Sequence, residues 1–128
     1  MSETKELTSK FRRVRMVLAR EKGFPAGDPN EGYDLLLPLD ETGRLDPAEW
    51  RNHKLLCRVR RFRPNREDLH GLLRRKPGGQ WYIEYRDGDA DDEFAFRWSG
   101  EHFIWGEYIS IRSKETMHTY RITLVEKP

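Results

Sequence analysis

Asp68-Leu69-His70-Gly71-Leu72-Leu73-Arg74-Arg75-Lys76-Pro77-Gly78-Gly79-Gln80-Trp81-Tyr82-Ile83-Glu84-Tyr85-Arg86 is the stretch that decides the fold. Two strand-like runs, 68–75 and 80–86, flank Lys76-Pro77-Gly78-Gly79, where glycine supplies the positive φ that a tight reversal needs. The second run puts Trp81, Ile83 and Tyr85 on one face, the period of two of a half-buried strand. Phe94, Phe96 and Trp98 repeat that pattern across an acidic connection, and such aromatic ladders build sheet cores.

The same period appears on both sides of this hairpin. Val14, Met16 and Leu18 alternate with Arg13 and Arg15 in a first strand, and 33–37 reads as a second after a Pro- and Gly-containing loop over 20–32. Asp46-Pro47-Ala48-Glu49-Trp50 carries helix-start chemistry: Asp46 to accept free backbone N–H groups, Pro47 at the first helical position and Glu49 at the capping-box position. It predicts a short helix ending near His53, with Trp50 folded against the sheet. Residues 54–62 alternate Leu55, Cys57 and Val59 with Arg58 and Arg60, a strand with a basic outer face. Arg61 then falls on the side of Val59, so the strand ends before it or a bulge turns it outward. Over 103–112, Gly106 marks a bulge that keeps Glu107 from the face of Ile109 and Ile111. A turn over 114–116 leads to a last strand in which Tyr120, Ile122 and Leu124 alternate with Thr119, Arg121 and Thr123.

Strands joined by local turns, with one short helix, lack the long crossovers of parallel sheets. The expected fold is all-β and mainly antiparallel, a small barrel or barrel-like sheet of seven to eight strands with one short helix near residues 47–53. Closure removes exposed edges, which ranks a barrel above a two-sheet sandwich. The 128 residues form a single β domain with a polar lead-in over 1–10. Charged residues make up 36% of the chain, yet 12% are aromatic, which is the composition of a compact fold with a charged exterior.

The lone Cys57 excludes an intramolecular disulfide and a cysteine-built zinc site, and fits a reducing compartment. The first ten residues lack a secretory apolar run and no segment has the length of a membrane span, so the expected address is the cytoplasm, with no membrane partner.

The net charge of +2 is unevenly spread: residues 1–50 carry −2, 51–76 carry +8 and 77–128 carry −4. Within the basic block, Arg58, Arg60, Arg63, Arg66, Arg74, Arg75 and Lys76, with Tyr82 as a base-stacking face, form a candidate nucleic-acid surface. The competing reading is a solvated face paired with carboxylates such as Glu84.

Asp87-Gly88-Asp89-Ala90-Asp91-Asp92-Glu93 resembles the first half of a calcium loop, but Asp92 replaces its glycine and Trp98 its final glutamate, which favours a solvated loop. His53, His70, His102 and His118 have no metal-pair spacing, and no metal or cofactor is expected. His102 with Glu107, or His70 with Cys57, are the pairs that catalysis would have to bring together; no catalytic motif is present. Trp81, Tyr85, Phe94, Phe96 and Trp98 either line a ligand cavity or fill the core.

Leu37-Pro38-Leu39-Asp40, Asp46-Pro47-Ala48-Glu49-Trp50, Cys57-Arg58-Val59-Arg60-Arg61-Phe62-Arg63-Pro64, Asp68-Leu69-His70-Gly71, Gly106-Glu107-Tyr108-Ile109-Ser110-Ile111 and His118-Thr119-Tyr120-Arg121 resemble a group of small uncharacterised proteobacterial proteins over most of residues 33–125. That likeness implies a bacterial cytoplasmic origin and carries over no site residue. The functional expectation is a non-enzymatic protein-interaction or regulatory module whose protein partner is unknown; the alternatives are nucleic-acid binding through the block 58–76 and a small-ligand-binding barrel.

Overall fold

The computed structural model describes residues 7–86, 92–95, 98–114 and 116–128. Among them, eight strands follow one another around a closed antiparallel barrel. These are β1 (Phe11–Leu18), β2 (Asp28–Pro38), β3 (Arg58–Arg63), β4 (Arg66–Arg75), β5 (Trp81–Tyr85), β6 (Glu93–Ala95), β7 (Tyr108–Ser113) and β8 (Thr116–Glu126). Pairing of β1 with β8, where Val14 faces Val125 and Met16 faces Ile122, closes the sheet. Since successive strands alternate in direction, the odd-to-even connections gather at one end of the barrel and the even-to-odd ones at the other.

At the second end, α1 (Pro47–Asn52) closes the opening. Asp46 Oδ1 accepts the N–H groups of Ala48 and Glu49 at 3.1 Å each, with Pro47 at the first helical position. Glu49 does not complete a capping box; it accepts the Thr8 hydroxyl at 2.6 Å, while the Asp46 N–H goes to the Pro38 carbonyl. Trp50 is buried, donates its indole N–H to the Leu73 carbonyl at 2.9 Å and meets Trp81 edge to face at 5.1 Å. Trp98 and Phe103 pack beside it, 5.2 Å apart, so one end of the barrel is a plug of large aromatic side chains.

The central hairpin matches its reading. Leu73 faces Ile83 and Arg75 faces Trp81, and Gly78 and Gly79 turn the chain at φ of 98° and 94°. Elsewhere the structure corrects the sequence reading. The strand expected from Lys54 begins at Arg58, because Lys54–Leu56 is a 3-10 turn that leaves Leu55 exposed. The second strand is longer than 33–37 and takes in part of the expected loop. In β6 the inward residues are Glu93 and Ala95, so Phe94 faces outward; Trp98 is buried from a separate 3-10 turn, and Phe96 lies outside the described residues. In β8 the register slips between the partners of Arg15 and Met16, so Leu124 turns outward and Val125 packs on the core. Arg61 neither ends β3 nor turns outward: it continues the inward phase of Val59.

Glycine is required where strands approach most closely. A Cβ on Gly32 would lie 2.0 Å from the Met16 carbonyl oxygen, whereas one on Gly78 would meet open space. Gly32→Ala is therefore expected to cost about 3 kcal/mol by forcing β1 from β2. Gly78→Ala costs about 1 kcal/mol, through the strain of a positive φ alone. Urea unfolding midpoints of the two variants measure the difference.

Candidate functional site

The odd-to-even end of the barrel interior is polar. Glu93 is 1% exposed. One of its oxygens accepts the Tyr33 hydroxyl at 2.8 Å and the Tyr85 hydroxyl, and the other pairs with the guanidinium of Arg61. Tyr120 stacks edge to face on Tyr33 at 4.9 Å. Burial raises Tyr33 well above the ordinary tyrosine range, with Tyr85, Glu93 and Tyr120 adding to it. Burial, then the negative charge of Glu93, raises Tyr85. Burial also pushes Tyr120 up to about 12, against the pull of the Arg61 charge. For Arg61 burial acts to lower the pKa, and Tyr33, Glu93, Tyr85 and Tyr120 override it, so the guanidinium keeps its proton. The side chains fill this end, with Nε of Arg61 buried and without a hydrogen-bond partner, and Glu93, read from sequence as part of a solvated acidic loop, is committed to the interior.

That commitment removes Glu93 from any calcium loop. Residues 87–91 lie outside the described residues, and Asp92 is exposed. The histidines are likewise engaged one by one: Nδ1 of His53 with the Glu49 carbonyl at 2.9 Å, Nδ1 of His102 with the Thr42 carbonyl at 2.8 Å, and Nδ1 of His118 with Glu21 at 3.1 Å. His70 shares the outer face with Arg60, its cross-strand partner, while buried Cys57 follows the inner phase of Val59. No group of three metal-ligating side chains occurs among the described residues.

The eight candidate nucleic-acid contacts divide among different environments. Arg60 is bound by Asp34 and by Asp68 at 3.3 Å. Arg63, lowered in pKa by burial and by neighbouring Arg66 and Arg61, donates to the Glu67 carbonyl at 3.0 Å. Arg66 stands opposite Arg63 at the β3–β4 turn, about 30 Å along β4 from Arg75. Arg75 lies over the Trp81 ring at 5.0 Å and donates to the Gly79 carbonyl at 3.3 Å. Arg74 is 4.0 Å from Glu84. Lys76 lies over the rings of Tyr82 and Phe94, at 5.3 and 4.6 Å. Arg58, Arg63, Arg66, Arg75 and Lys76 have no ion-pair partner among the described residues; of these, Arg58 is exposed on the outer face of β3.

Arg58 opens into a groove of about 970 Å³ on the outside of the barrel. The register builds it: Arg13 pairs with Leu36, and Arg58 pairs with Leu72, which pairs in turn with Glu84. Because Leu35 faces Val59, Leu36 lies next to Arg58, so charged and leucine side chains alternate across five strands. Arg86 adds a second cation without a carboxylate partner among the described residues, and Leu124 enters from β8 by its register slip. Reading by alternation missed the leucine floor. The available signal was an apolar side chain in the outward phase, as at Leu36 and Leu72, although convergence of the two depends on the register of β2 through β4.

Comparison with models of protein families, with curated proteins and with solved structures finds no match. No helix among the described residues is long and apolar enough to cross a membrane.

The buried network sets two expectations. Glu93→Ala strands the Arg61 charge and is expected to cost about 3–5 kcal/mol, while the double change Glu93→Leu with Arg61→Met costs less; chemical denaturation distinguishes them. Tyrosines of the unfolded chain ionise near pH 10 while Tyr33, Tyr85 and Tyr120 hold their protons, Tyr120 up to about 12. The folded state then binds more protons than the unfolded one, so stability is complete below about pH 10 and falls as pH rises toward 12. Tyrosinate absorbance at alkaline pH should show these three rings ionising with unfolding rather than before it.

Proposed function

We propose that the barrel is a non-enzymatic protein-docking module that takes an acidic, leucine-bearing segment of a partner protein into its outer groove. The observation that carries this reading is the alternation of leucine and arginine on one concave face. Leu36 and Leu72 offer apolar contact, while Arg58 and Arg86 keep charges that no described carboxylate neutralises. An extended or helical segment with carboxylates beside leucines matches both features, the apolar contacts supplying affinity and the charge pattern selecting the partner. The groove is too open and too charged to favour an apolar small molecule, and the barrel interior is occupied by its own aromatic side chains.

A second reading rests on the other outward row. Arg74, Tyr82, Phe94 and Arg112 are successive cross-strand neighbours, and Arg112 lies 5.0 Å from the Phe94 ring. Two adjacent rings flanked by cations suit stacked bases of single-stranded nucleic acid. Lys76 and Arg112 already lie over those rings, so bases would have to displace them.

Fluorescence anisotropy with a labelled Glu/Leu peptide, its Lys/Leu counterpart and a mixed-sequence single-stranded oligonucleotide tests both readings. Saturable binding of the Glu/Leu peptide is expected, weakened about tenfold or more by Arg58→Glu combined with Arg86→Glu at an unchanged unfolding midpoint. Failure of that peptide to bind at millimolar concentration rules out the docking groove. Oligonucleotide binding that disappears with salt and with Tyr82→Ser supports the second reading instead.

A further inference from the structure

The apolar and cationic side chains of the groove follow one another strand by strand. Leu36 on β2, Arg58 on β3 and Leu72 on β4 are successive cross-strand neighbours. Adjacent strands lie about 4.8 Å apart, so these residues leave the sheet in steps of about 5 Å, with about 10 Å between the two leucines. One strand further, Arg86 follows the end of β5, two residues along from Glu84, and its N–H bonds to the His70 carbonyl at 3.0 Å. The order across the sheet is therefore apolar, cation, apolar, cation. Both leucines are half-buried and both arginines are exposed. Leu55, 63% exposed in the turn before β3, widens the apolar surface at the rim.

We propose that the segment taken by this groove is an amphipathic α-helix lying across the strands, with leucine and glutamate alternating turn by turn along one face. This rests on the docking reading above and adds the secondary structure and the residue spacing of the ligand. The closed barrel has no strand edge to which an extended segment could add, so on this outer face the backbone of such a segment would find no ladder to join. A helix satisfies its own backbone groups and presents only side chains. Its pitch of about 5.4 Å is also close to the strand spacing, so each turn stands over one strand. The pattern Leu-x-x-Glu-x-x-x-Leu-x-x-Glu keeps four side chains on one face along about 15 Å. Its leucines then meet Leu36 and Leu72, its first glutamate meets Arg58 between them, and its second turns to Arg86, away from Glu84, which is engaged by Arg74 at 4.0 Å. Same-face side chains of an extended segment recur about every 6.8 Å and overshoot this order by more than one strand spacing over the same three steps.

The test compares, by fluorescence anisotropy on the full chain, a labelled peptide repeating this heptad with one of the same length and composition in which leucine and glutamate fall at every second position. The heptad peptide is expected to bind about tenfold or more tighter, and far-UV circular dichroism to show helix gained on binding. Leu72→Ser weakens it by about tenfold at an unchanged unfolding midpoint, and Arg58→Glu with Arg86→Glu transfers the preference to the lysine counterpart of the same heptad. Equal or tighter binding of the alternating peptide, or binding without gain of helix, overturns the helical ligand and leaves the docking groove standing. Failure of both peptides to bind at millimolar concentration overturns the two together.

Discussion

Hydrogen bonding between β1 and β8 closes the sheet, and with that closure the interior acquires a fixed cross-section. Every inward position must then be filled by the side chain the alternation places there. The even-to-odd end is filled by size: Trp50, Trp81, Trp98 and Phe103, with α1 seated through the bond from the Trp50 indole to the Leu73 carbonyl. The other end is filled by chemistry. There the inward phase offers Tyr33, Arg61, Tyr85, Glu93 and Tyr120, and the barrel accommodates them by joining them into one network.

Such a network adds little net stability. Removing a carboxylate and a guanidinium from water costs several kcal/mol for each ion, which their attraction and the two tyrosine hydrogen bonds roughly offset. Its carboxylate belongs to β6. This strand of three residues pairs, among the described residues, with β5 at three positions and with β7 at two, and Glu93 and Ala95 stand opposite the inward Ile83 and Trp81. Bonds from Glu93 to Tyr33 of β2, Arg61 of β3 and Tyr85 of β5 are consistent with that phase, in which Glu93 and Ala95 point inward and Phe94 outward. The same phase places the Phe94 ring beside Tyr82 on the outer surface.

Fold class, helix cap and central hairpin were legible because each depends on chemistry within a few residues: Asp46 before Pro47, glycines at 78 and 79, alternation along β1 and β5. What was not legible depends on partners distant in the chain. The inward phase of Glu93 runs against a plain hydrophobic reading of Phe94 and Trp98, and only Arg61, Tyr33 and Tyr85 make it favourable. The ambiguous phase of Arg61 was visible, but its resolution lay 32 residues away in Glu93. The slip in β8 that exchanges Leu124 for Val125 has no local glycine or proline to announce it. For the candidate site, Arg58 and Arg60 were recognised and correctly placed outward, yet Asp34 neutralises Arg60 across 26 residues while Arg58 is left free. The leucine floor emerges only once register is known.

The basic block of residues 51–76 shows why charge along a sequence is a poor map of charge on a surface. Its arginines are distributed by strand phase. Arg61 enters the core as a counter-ion, Arg75 folds along Trp81, and Arg60 is held by two aspartates. A block of +8 therefore leaves far less open positive charge on β3 and β4 than its total suggests. The two cations left facing the groove, Arg58 and Arg86, stand beside Leu36 and Leu72, and an isolated cation next to apolar surface selects a different ligand from a continuous cationic track. A phosphate backbone gains from many evenly spaced charges and gains little from leucine. A protein segment that pairs one or two carboxylates with buried aliphatic side chains uses both, which is why the partition of these arginines favours protein docking over nucleic-acid binding on that face.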